Sequence, residues 1–254
     1  MASPFFNACK SGDLETVKKC IQNGQNPTVR DNYALRAACE RGHLPVVKYL
    51  CETFKPGTPG GVDPNAWSNC ALHWASENGY IDVVKYLCET FKPGSEYGVD
   101  PCAGDNLALR WASENGYLDV VRYLCETFPP GTEGGVDPTA RDNYALRAAC
   151  EHGHLPVVRY LCETFKPGTP GGVDPTADDN LTLQWASGNG HLSVVKYLIL
   201  VYIKHNFKVP PKFQKEFQEV SKELRETKEA LNCVLNKRNV HETGIANRIL
   251  EYVY

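Results

Sequence analysis

Cysteine and histidine are the residues of this 254-residue chain with the most distinctive chemistry, and it contains 11 cysteines and seven histidines. A zinc site needs about four converging thiolate or imidazole ligands, usually supplied by closely spaced pairs. The chain contains no Cys-x-x-Cys pair and no His-Glu-x-x-His sequence. Cys39 and Cys51 lie near enough in sequence to approach each other, but two ligands do not form such a site. We therefore expect no metal and no cofactor.

The spacing of these residues favours a structural role. Six cysteines recur at multiples of 37 residues, and three histidines each follow a glycine. Neighbouring helices lie about 8–10 Å apart, whereas a disulfide requires Cα atoms within about 7 Å. Equivalent cysteines of adjacent repeats therefore cannot pair, and we interpret them as small buried hydrophobes and the histidines as turn residues. These residues are Cys39, Cys51, Cys88, Cys125, Cys150 and Cys162, with His43, His154 and His191.

Other candidate chemistry is equally weak. Glycine-rich stretches such as residues 55–61 lack the preceding strand and the Lys-Ser pair of a phosphate-binding loop. Glu40, Glu77 and Glu114 recur at one position, which is more typical of a solvated rim than of paired acid/base catalysts. No group of residues indicates catalysis, so we expect a protein that is not an enzyme.

The elements that carry these residues repeat with a period of 37. An Asx-type pair occurs at residues 31–32, 68–69, 105–106, 142–143 and 179–180, and Val-Asp-Pro ends at prolines 64, 101, 138 and 175. Residues 30–64 and 141–175 are almost identical and lie three periods apart, which indicates a copied block of three repeats. Periods of this size indicate a solenoid, in which each unit buries its apolar face against its neighbours.

Each repeat reads as two short helices joined by a tight turn. Leu35, Ala38 and Cys39 follow the i, i+3, i+4 spacing of a helix of about eight residues. Gly42 suits the end of that helix, and Pro45 suits the first turn of the next. The second helix buries a stripe that begins at Val46, and a Pro/Gly-rich loop ends it. We predict two antiparallel helices and a long loop in every repeat.

These residues resemble the ankyrin repeat. The resemblance rests on Ala-Leu-Arg/His at the start of helix one, Gly-His-Leu at the turn, Val-Val-Lys-Tyr-Leu in helix two and Gly-Val-Asp-Pro after it. It implies an all-α, ankyrin-type helix-turn-helix solenoid of about six stacked repeats plus C-terminal helices. The array is expected over residues 1–204, with repeats 1 to 6 at about 4–27, 28–64, 65–101, 102–138, 139–175 and 176–204.

The chain departs from the family pattern in three ways. Only His73 keeps the family histidine at the start of helix one, the hairpin before helix one is about three residues shorter, and the loop after helix two is about seven residues longer. We expect shortened hairpin tips and an added ridge of stiff Pro/Gly loops.

Composition and charge restrict the partners. The net charge of −3 provides no basic field for nucleic acid, so none is expected. The first residues lack the apolar core of a signal peptide, and the longest apolar run, Tyr197–Ile203, is far shorter than the roughly 20 residues that span a bilayer. We expect an intracellular protein without membrane contact, cytoplasmic rather than nuclear; the oligomeric state is left open.

The C-terminal segment, residues 205–254, has its own pattern. Apolar residues alternate at steps of four and three, and Lys/Arg–Glu pairs lie at i, i+4 on the other face. Two interpretations stay open: a helix that caps the last repeat, or one that binds a partner. A further helix is predicted over residues 242–252. The stripe consists of Phe213, Phe217, Val220, Leu224, Thr227, Leu231 and Val234.

The resemblance to ankyrin repeats implies a non-enzymatic protein–protein interaction module that presents a concave surface. The alternative is a scaffold or adaptor whose C-terminal helices recruit a second partner, resembling a ligase adaptor or a coiled coil. A thiol- or metal-responsive protein is the weakest of the three interpretations. The identity of the partner protein is left open.

Candidate partner-binding residues come from positions that vary between otherwise uniform repeats. The residue before each Asx pair is one such position, three tryptophans share another on helix one, and Tyr97 interrupts the loop ridge. Exposed tryptophan and arginine are typical of interface anchors. For the tryptophans on helix one, packing between repeats is an equally good explanation. The candidates are Arg30, Trp67, Arg141, Asp178, Trp74, Trp111, Trp185 and Tyr97.

Overall fold

The structure is a computed structural model that describes the backbone of residues 3–237 and the side chains of residues 3–229. That part of the chain contains helices and no strand, so the predicted all-α solenoid is confirmed. The further helix predicted over residues 242–252 lies outside the described residues. The helices are α1 Pro4–Ser11, α2 Leu14–Gln22, α3 Val29–Glu40, α4 Leu44–Thr53, α5 Ala66–Glu77, α6 Ile81–Thr90, α7 Ala103–Glu114, α8 Leu118–Thr127, α9 Ala140–Glu151, α10 Leu155–Thr164, α11 Ala177–Gly188, α12 Leu192–His205 and α13 Gln214–Lys237, with a 3₁₀ turn at Pro211–Phe213.

Each repeat forms its helix pair for the reasons that the sequence gives. In the second repeat, Leu35, Ala38 and Cys39 are fully buried on α3, and Val46, Val47 and Leu50 are buried on α4. Gly42 separates the two helices with a φ of 72°, in the left-handed region. A Cβ on Gly42 would lie 2.3 Å from the ring of Tyr80 in the next repeat, so glycine is required both for backbone conformation and for space.

The first helices of neighbouring repeats pack more extensively than the second helices do. The first helices α3, α5, α7, α9 and α11 contact one another along their lengths, whereas the second helices of neighbouring repeats touch at fewer places. Small residues such as Ala34 and Ala38, both fully buried, allow this close approach. We call the solvent-facing side of the first helices the first-helix face.

A left-handed turn replaces the short hairpin that the sequence indicates. In α3, the three residues after the first one have positive φ: Arg30 (55°), Asp31 (53°) and Asn32 (60°). The tip therefore contains no paired strands, and the regular right-handed helix begins at residue 33. The same three positions are left-handed in α5, α7, α9 and α11.

An asparagine in this turn links each repeat to the following loop. The buried side chain of Asn32 accepts a hydrogen bond through Oδ1 from the backbone N–H of Asp63, at 2.9 Å. The same bond recurs 37, 74 and 111 residues later, at 2.8, 2.8 and 2.7 Å. Because left-handed backbone costs about 1–2 kcal/mol for each residue other than glycine, these bonds offset part of that cost.

The Pro/Gly loops are ordered by backbone hydrogen bonds. Val62 donates to the carbonyl of Phe54 at 2.9 Å, which closes the loop, and two tight turns fill the residues between them. Val62 is fully buried, as are its equivalents in the next three repeats. The loops are therefore built as rigid parts of the array, in line with their proline content.

The sixth repeat differs from the earlier ones at the end of its second helix. Helix α12 has 14 residues instead of the usual 10, and Tyr202 near its end is fully buried. The hydroxyl of Tyr202 donates to Oδ1 of Asn180 at 2.6 Å, replacing the backbone bond that this asparagine type accepts elsewhere. Helix α13 contacts α12. Phe213 in the preceding 3₁₀ turn and Val220 in the first half of α13 are buried, and Lys196 of α12 pairs with Glu223 at 3.0 Å.

Candidate functional site

The variable position before each Asx pair is the first left-handed residue of each turn. Arg30, Trp67, Gly104, Arg141 and Asp178 all have φ between 49° and 63°. Glycine tolerates this conformation, whereas a bulky side chain is strained by it. Trp67 is nevertheless placed there and is 65% exposed, the most exposed aromatic residue among the described side chains.

A basic residue six positions later supports the turn from the first-helix face. Arg36 is 7% exposed and donates through Nη2 to the carbonyl of Arg30 at 3.1 Å. Its guanidinium carbon lies 4.6 Å from the ring centre of Trp67 and 5.8 Å from those of Tyr33 and Trp74. Arg36 thus holds three aromatic rings and the strained turn together. Arg147 makes the equivalent contact with the carbonyl of Arg141.

Arg141 and Asp178 are engaged in ion pairs between neighbouring repeats. Arg141 binds the carboxylate of Asp105 through Nε and Nη2, at 2.8 and 2.6 Å. Asp178 pairs with Nη1 of Arg147. Both side chains are therefore committed to ion pairs within the chain, whereas the ring of Trp67 contacts Arg36 and stays 65% exposed, and we rank them below Trp67 as binding residues. Arg30 is exposed and lies 5.3 Å from the ring centre of Phe6.

The three tryptophans predicted to share one position do so on the first helices. Trp74, Trp111 and Trp185 are half-buried, so each packs against the array and also presents part of its indole to solvent. A glutamate follows Trp74 and Trp111 by three residues, and Glu77 and Glu114 therefore lie one helical turn further on. Tryptophan and carboxylate alternate on this face in the two central repeats.

The carboxylate of Glu77 is not neutralised by any described neighbour. It forms no hydrogen bond and no ion pair with the residues whose side chains are described. Burial raises its pKa, and the like charges of Glu114 and Glu40 raise it further. Glu114 differs because it accepts a hydrogen bond from the hydroxyl of Tyr144 at 3.1 Å.

His73 occupies the position that Arg36 and Arg147 occupy in other repeats. It is 4% exposed, its ring meets that of Trp111 edge-on at 6.1 Å, and its Nε2 has no hydrogen-bond partner. Burial lowers the pKa of His73 from 6.5 to about 4, so the imidazole is neutral at pH 7. His73 therefore supplies no cation to Glu77, four residues further along α5.

Tyr97 lies apart from the other candidates, on the loop ridge. Its ring packs beside Gly57 of the preceding loop, 2.9 Å from where a Cβ would stand, and its hydroxyl donates to Glu96 at 3.0 Å. The structure thus brings seven of the eight predicted residues to the first-helix side and leaves Tyr97 on a separate surface.

Sequence reasoning missed the supporting residues of this face. Arg36 and the asparagines of the left-handed turn were not among the candidates, although Asn recurs in all five Asx pairs while the residue two positions before it varies. That contrast was the available signal. A residue that stays constant between repeats and carries a hydrogen-bonding side chain holds the backbone on which the varying residue is displayed.

The repeated cysteines and histidines act in packing. Burial raises the pKa of the Cys51, Cys88 and Cys125 thiols to about 12, which disfavours the thiolate needed for metal binding or redox chemistry. His43 and His154 each bring Nε2 within 2.8–2.9 Å of a backbone carbonyl in the preceding repeat. Among the residues described, no group of three or more potential metal ligands converges.

Stacked helix pairs define the class of this protein as a helical-repeat solenoid. Comparison with known proteins shows to which family of solenoids it belongs. A family model described as ankyrin repeats (3 copies) matches residues 5–100, 61–142 and 109–209. The chain belongs to the ankyrin-repeat family. Repeats of this family are in general non-enzymatic modules for protein–protein interaction.

A comparison with curated proteins finds no significant match. None of the described helices is long and apolar enough to cross a membrane.

Proposed function

We propose that the chain is a protein–protein interaction module that binds its partner on the first-helix face, around Trp67, Trp74 and Trp111. Ankyrin repeats generally bind other proteins, and this face combines the exposed Trp67 with two half-exposed tryptophans. Tryptophan and arginine are the residue types that most often dominate binding energy at interfaces.

The exposure and backbone conformation of Trp67 carry this proposal. A bulky residue at positive φ costs folding free energy, and Gly104 shows that the fold accepts glycine at the same position. Stability alone would therefore favour glycine over an exposed tryptophan. Strained residues of this kind cluster at functional sites, where they are retained for binding although they lower the stability of the fold.

Affinity capture with paired glycine variants tests the proposal. Trp67→Gly installs the residue that the fourth repeat has at that position, and Tyr97→Gly installs the residue that the second repeat has as Gly60. We expect Trp67→Gly to lose the captured partner and Tyr97→Gly to retain it. The free energy of unfolding of Trp67→Gly should change by less than about 1 kcal/mol, because relief of left-handed strain offsets lost packing on Arg36.

The opposite pattern, with capture lost only in Tyr97→Gly, would move the binding surface to the loop ridge. Arg141→Gly provides a second comparison, because it changes the same turn position but removes an exposed ion pair instead of an aromatic side chain. Since such pairs contribute little to stability, this variant should fold normally and keep its partner.

A second candidate function is an adaptor in which α13 recruits another protein. Helix α13 has 24 residues and is about 36 Å long, and the buried Val220 and the paired Glu223 both lie in its first half. Val220 is buried, whereas Thr227, seven residues further along the stripe, is exposed. A chain that ends at Glu229 should keep the docked half and lose such a partner. Partners that survive this truncation but are lost in Trp67→Gly belong to the first-helix face.

A further inference from the structure

The two central repeats differ from their neighbours on the first-helix face. Trp74 and Trp111 occupy the position where the nearly identical second and fifth repeats have Ala37 and Ala148. Both tryptophans are half-buried, so part of each indole is exposed to solvent. The second and fifth repeats show that the array folds with alanine here. The tryptophans are therefore not a general requirement of stacking. Trp185 shares their position in the sixth repeat, but Gly188 stands there in place of the glutamate, so the Trp/Glu combination belongs to the two central repeats.

Each of these tryptophans is followed by a carboxylate, whereas the described cations nearby lie over aromatic rings: Arg36 lies over Trp67 and Trp74, and Arg110 lies over Tyr144. Glu77 has no partner among the described side chains, and His73 on the same helix is buried and neutral at pH 7. Arg110 places its guanidinium carbon 5.0 Å from the ring centre of Tyr144 and makes no ion pair with Glu114 within the described region. We call Trp67, Trp74, Glu77, Trp111 and Glu114 the central patch.

We propose that the central patch binds a basic segment of a partner protein, with a lysine or arginine entering each of the two adjacent Trp/Glu sites. This inference rests on the proposed function, because it specifies the partner chemistry of the same face. A cation attracts both an indole face and a carboxylate, so a side chain that reaches Trp74 and Glu77 together gains from both contacts. An acidic segment would meet two carboxylates and is disfavoured at this place.

The distance between repeats sets the spacing of the cations. Adjacent first helices lie about 8–10 Å apart, so the two Trp/Glu sites are separated by about that distance. A polyproline II helix rises about 3.1 Å per residue with three residues per turn, so every third side chain points the same way after about 9 Å. The segment that fits best is therefore extended and carries a cation at every third residue.

Titration of the full chain with synthetic peptides tests this inference, with tryptophan fluorescence as the signal. The probe is a peptide of four Pro-Pro-Lys triplets. Two comparison peptides are used. One consists of four Pro-Pro-Glu triplets, and the other has the same composition as the probe but places its four lysines next to one another. We expect saturable binding of the first peptide, weaker binding of the adjacent-lysine peptide and none of the glutamate peptide. Affinity should fall at least tenfold between 50 mM and 500 mM salt.

Isosteric and repeat-matched variants assign the binding to the central patch. Two double variants should each lower the affinity for the lysine peptide at least tenfold. One is Glu77→Gln with Glu114→Gln, and the other is Trp74→Ala with Trp111→Ala. Glu40→Gln with Glu151→Gln removes carboxylates from the same position in repeats without tryptophan, and should change affinity less than twofold. Unchanged affinity in the Glu77/Glu114 variant, or preference for the glutamate peptide, would overturn the inference.

Failure of this inference is separable from failure of the proposed function. If the lysine peptide does not bind up to 1 mM while Trp67→Gly still loses its captured protein, the face binds a partner of different chemistry and the basic-segment inference is wrong. If Trp67→Gly also retains its captured protein, the first-helix face is not the binding surface. Circular dichroism of each variant identifies any that fails to fold, and the single variant Glu77→Gln then carries the test.

Discussion

At the residue scale, the asparagine of each left-handed turn holds the array together. Asn106 is 7% exposed, and its Oδ1 accepts a hydrogen bond of 2.8 Å from the backbone N–H of Asp137, 31 residues further along the chain. We expect Asn106→Ala to destabilise the fold by about 2 kcal/mol, because the N–H loses its acceptor and alanine tolerates left-handed backbone less well than asparagine. Urea unfolding measures the change. Asn7→Ala, at an exposed position whose side chain forms no hydrogen bond with any described residue, should leave the midpoint within experimental error.

His73 provides a residue-scale prediction about pH. Its pKa is lowered to about 4 by burial, whereas the unfolded chain takes up the proton near 6.5. The stability that depends on neutral His73 is complete above pH 6.5 and is lost as the pH falls toward 4. Between pH 7 and pH 5 this loss amounts to about 2 kcal/mol.

The matched variant for this measurement is His73→Gln, since Gln184 occupies the equivalent position in the sixth repeat. Unfolding free energies at pH 7 and pH 5 should differ less in this variant than in the parent protein. His154, whose pKa is also lowered by burial, is present in both proteins, so its contribution cancels in the comparison. An equal loss in parent and variant would mean that His73 accepts its proton without disturbing the fold.

At the element scale, the docked half of α13 should stabilise the last repeat. Val220 is 5% exposed, and Leu198, Ile199 and Tyr202 of α12, the helix that α13 contacts, are fully buried. Val220→Asp should lower the free energy of unfolding by about 2–4 kcal/mol, because it places a charge in an apolar contact. Gln218→Asp, two residues earlier on the exposed side, should change it by less than about 0.5 kcal/mol. Equal thermal midpoints for both variants would leave α13 free for a partner.

The helices followed from the sequence, whereas the left-handed turn did not. Leu35, Ala38 and Cys39 predicted a buried stripe because helical periodicity is set within four residues. The turn depends on a bond between Asn32 and Asp63, which neighbouring residues cannot reveal. For the same reason the sequence identified the varying residues of the face but not Arg36, whose role arises from a carbonyl and aromatic rings brought together by folding.

At the scale of the whole molecule, repeats contribute almost independently, so one of them should be removable. Deleting residues 139–175 joins the fourth repeat to the sixth. Arg110 then takes the place of Arg147 beside Asp178, and His191 takes the place of His154 against Gly116. Because these contacts are restored by residues of the same or a similar type, we expect a cooperatively folding chain. Its urea m-value should fall roughly in proportion to the surface that is lost.

Deleting residues 102–138 removes the same number of residues but takes Trp111 and Glu114 with it. Both deletions should lower the thermal midpoint by similar amounts, because each removes one repeat and one interface. Partner capture should survive the loss of residues 139–175 and disappear with residues 102–138. Equal loss of binding in the two proteins would show that recognition needs the full length of the array, and the binding energy would then be spread over many repeats instead of concentrated in the central pair.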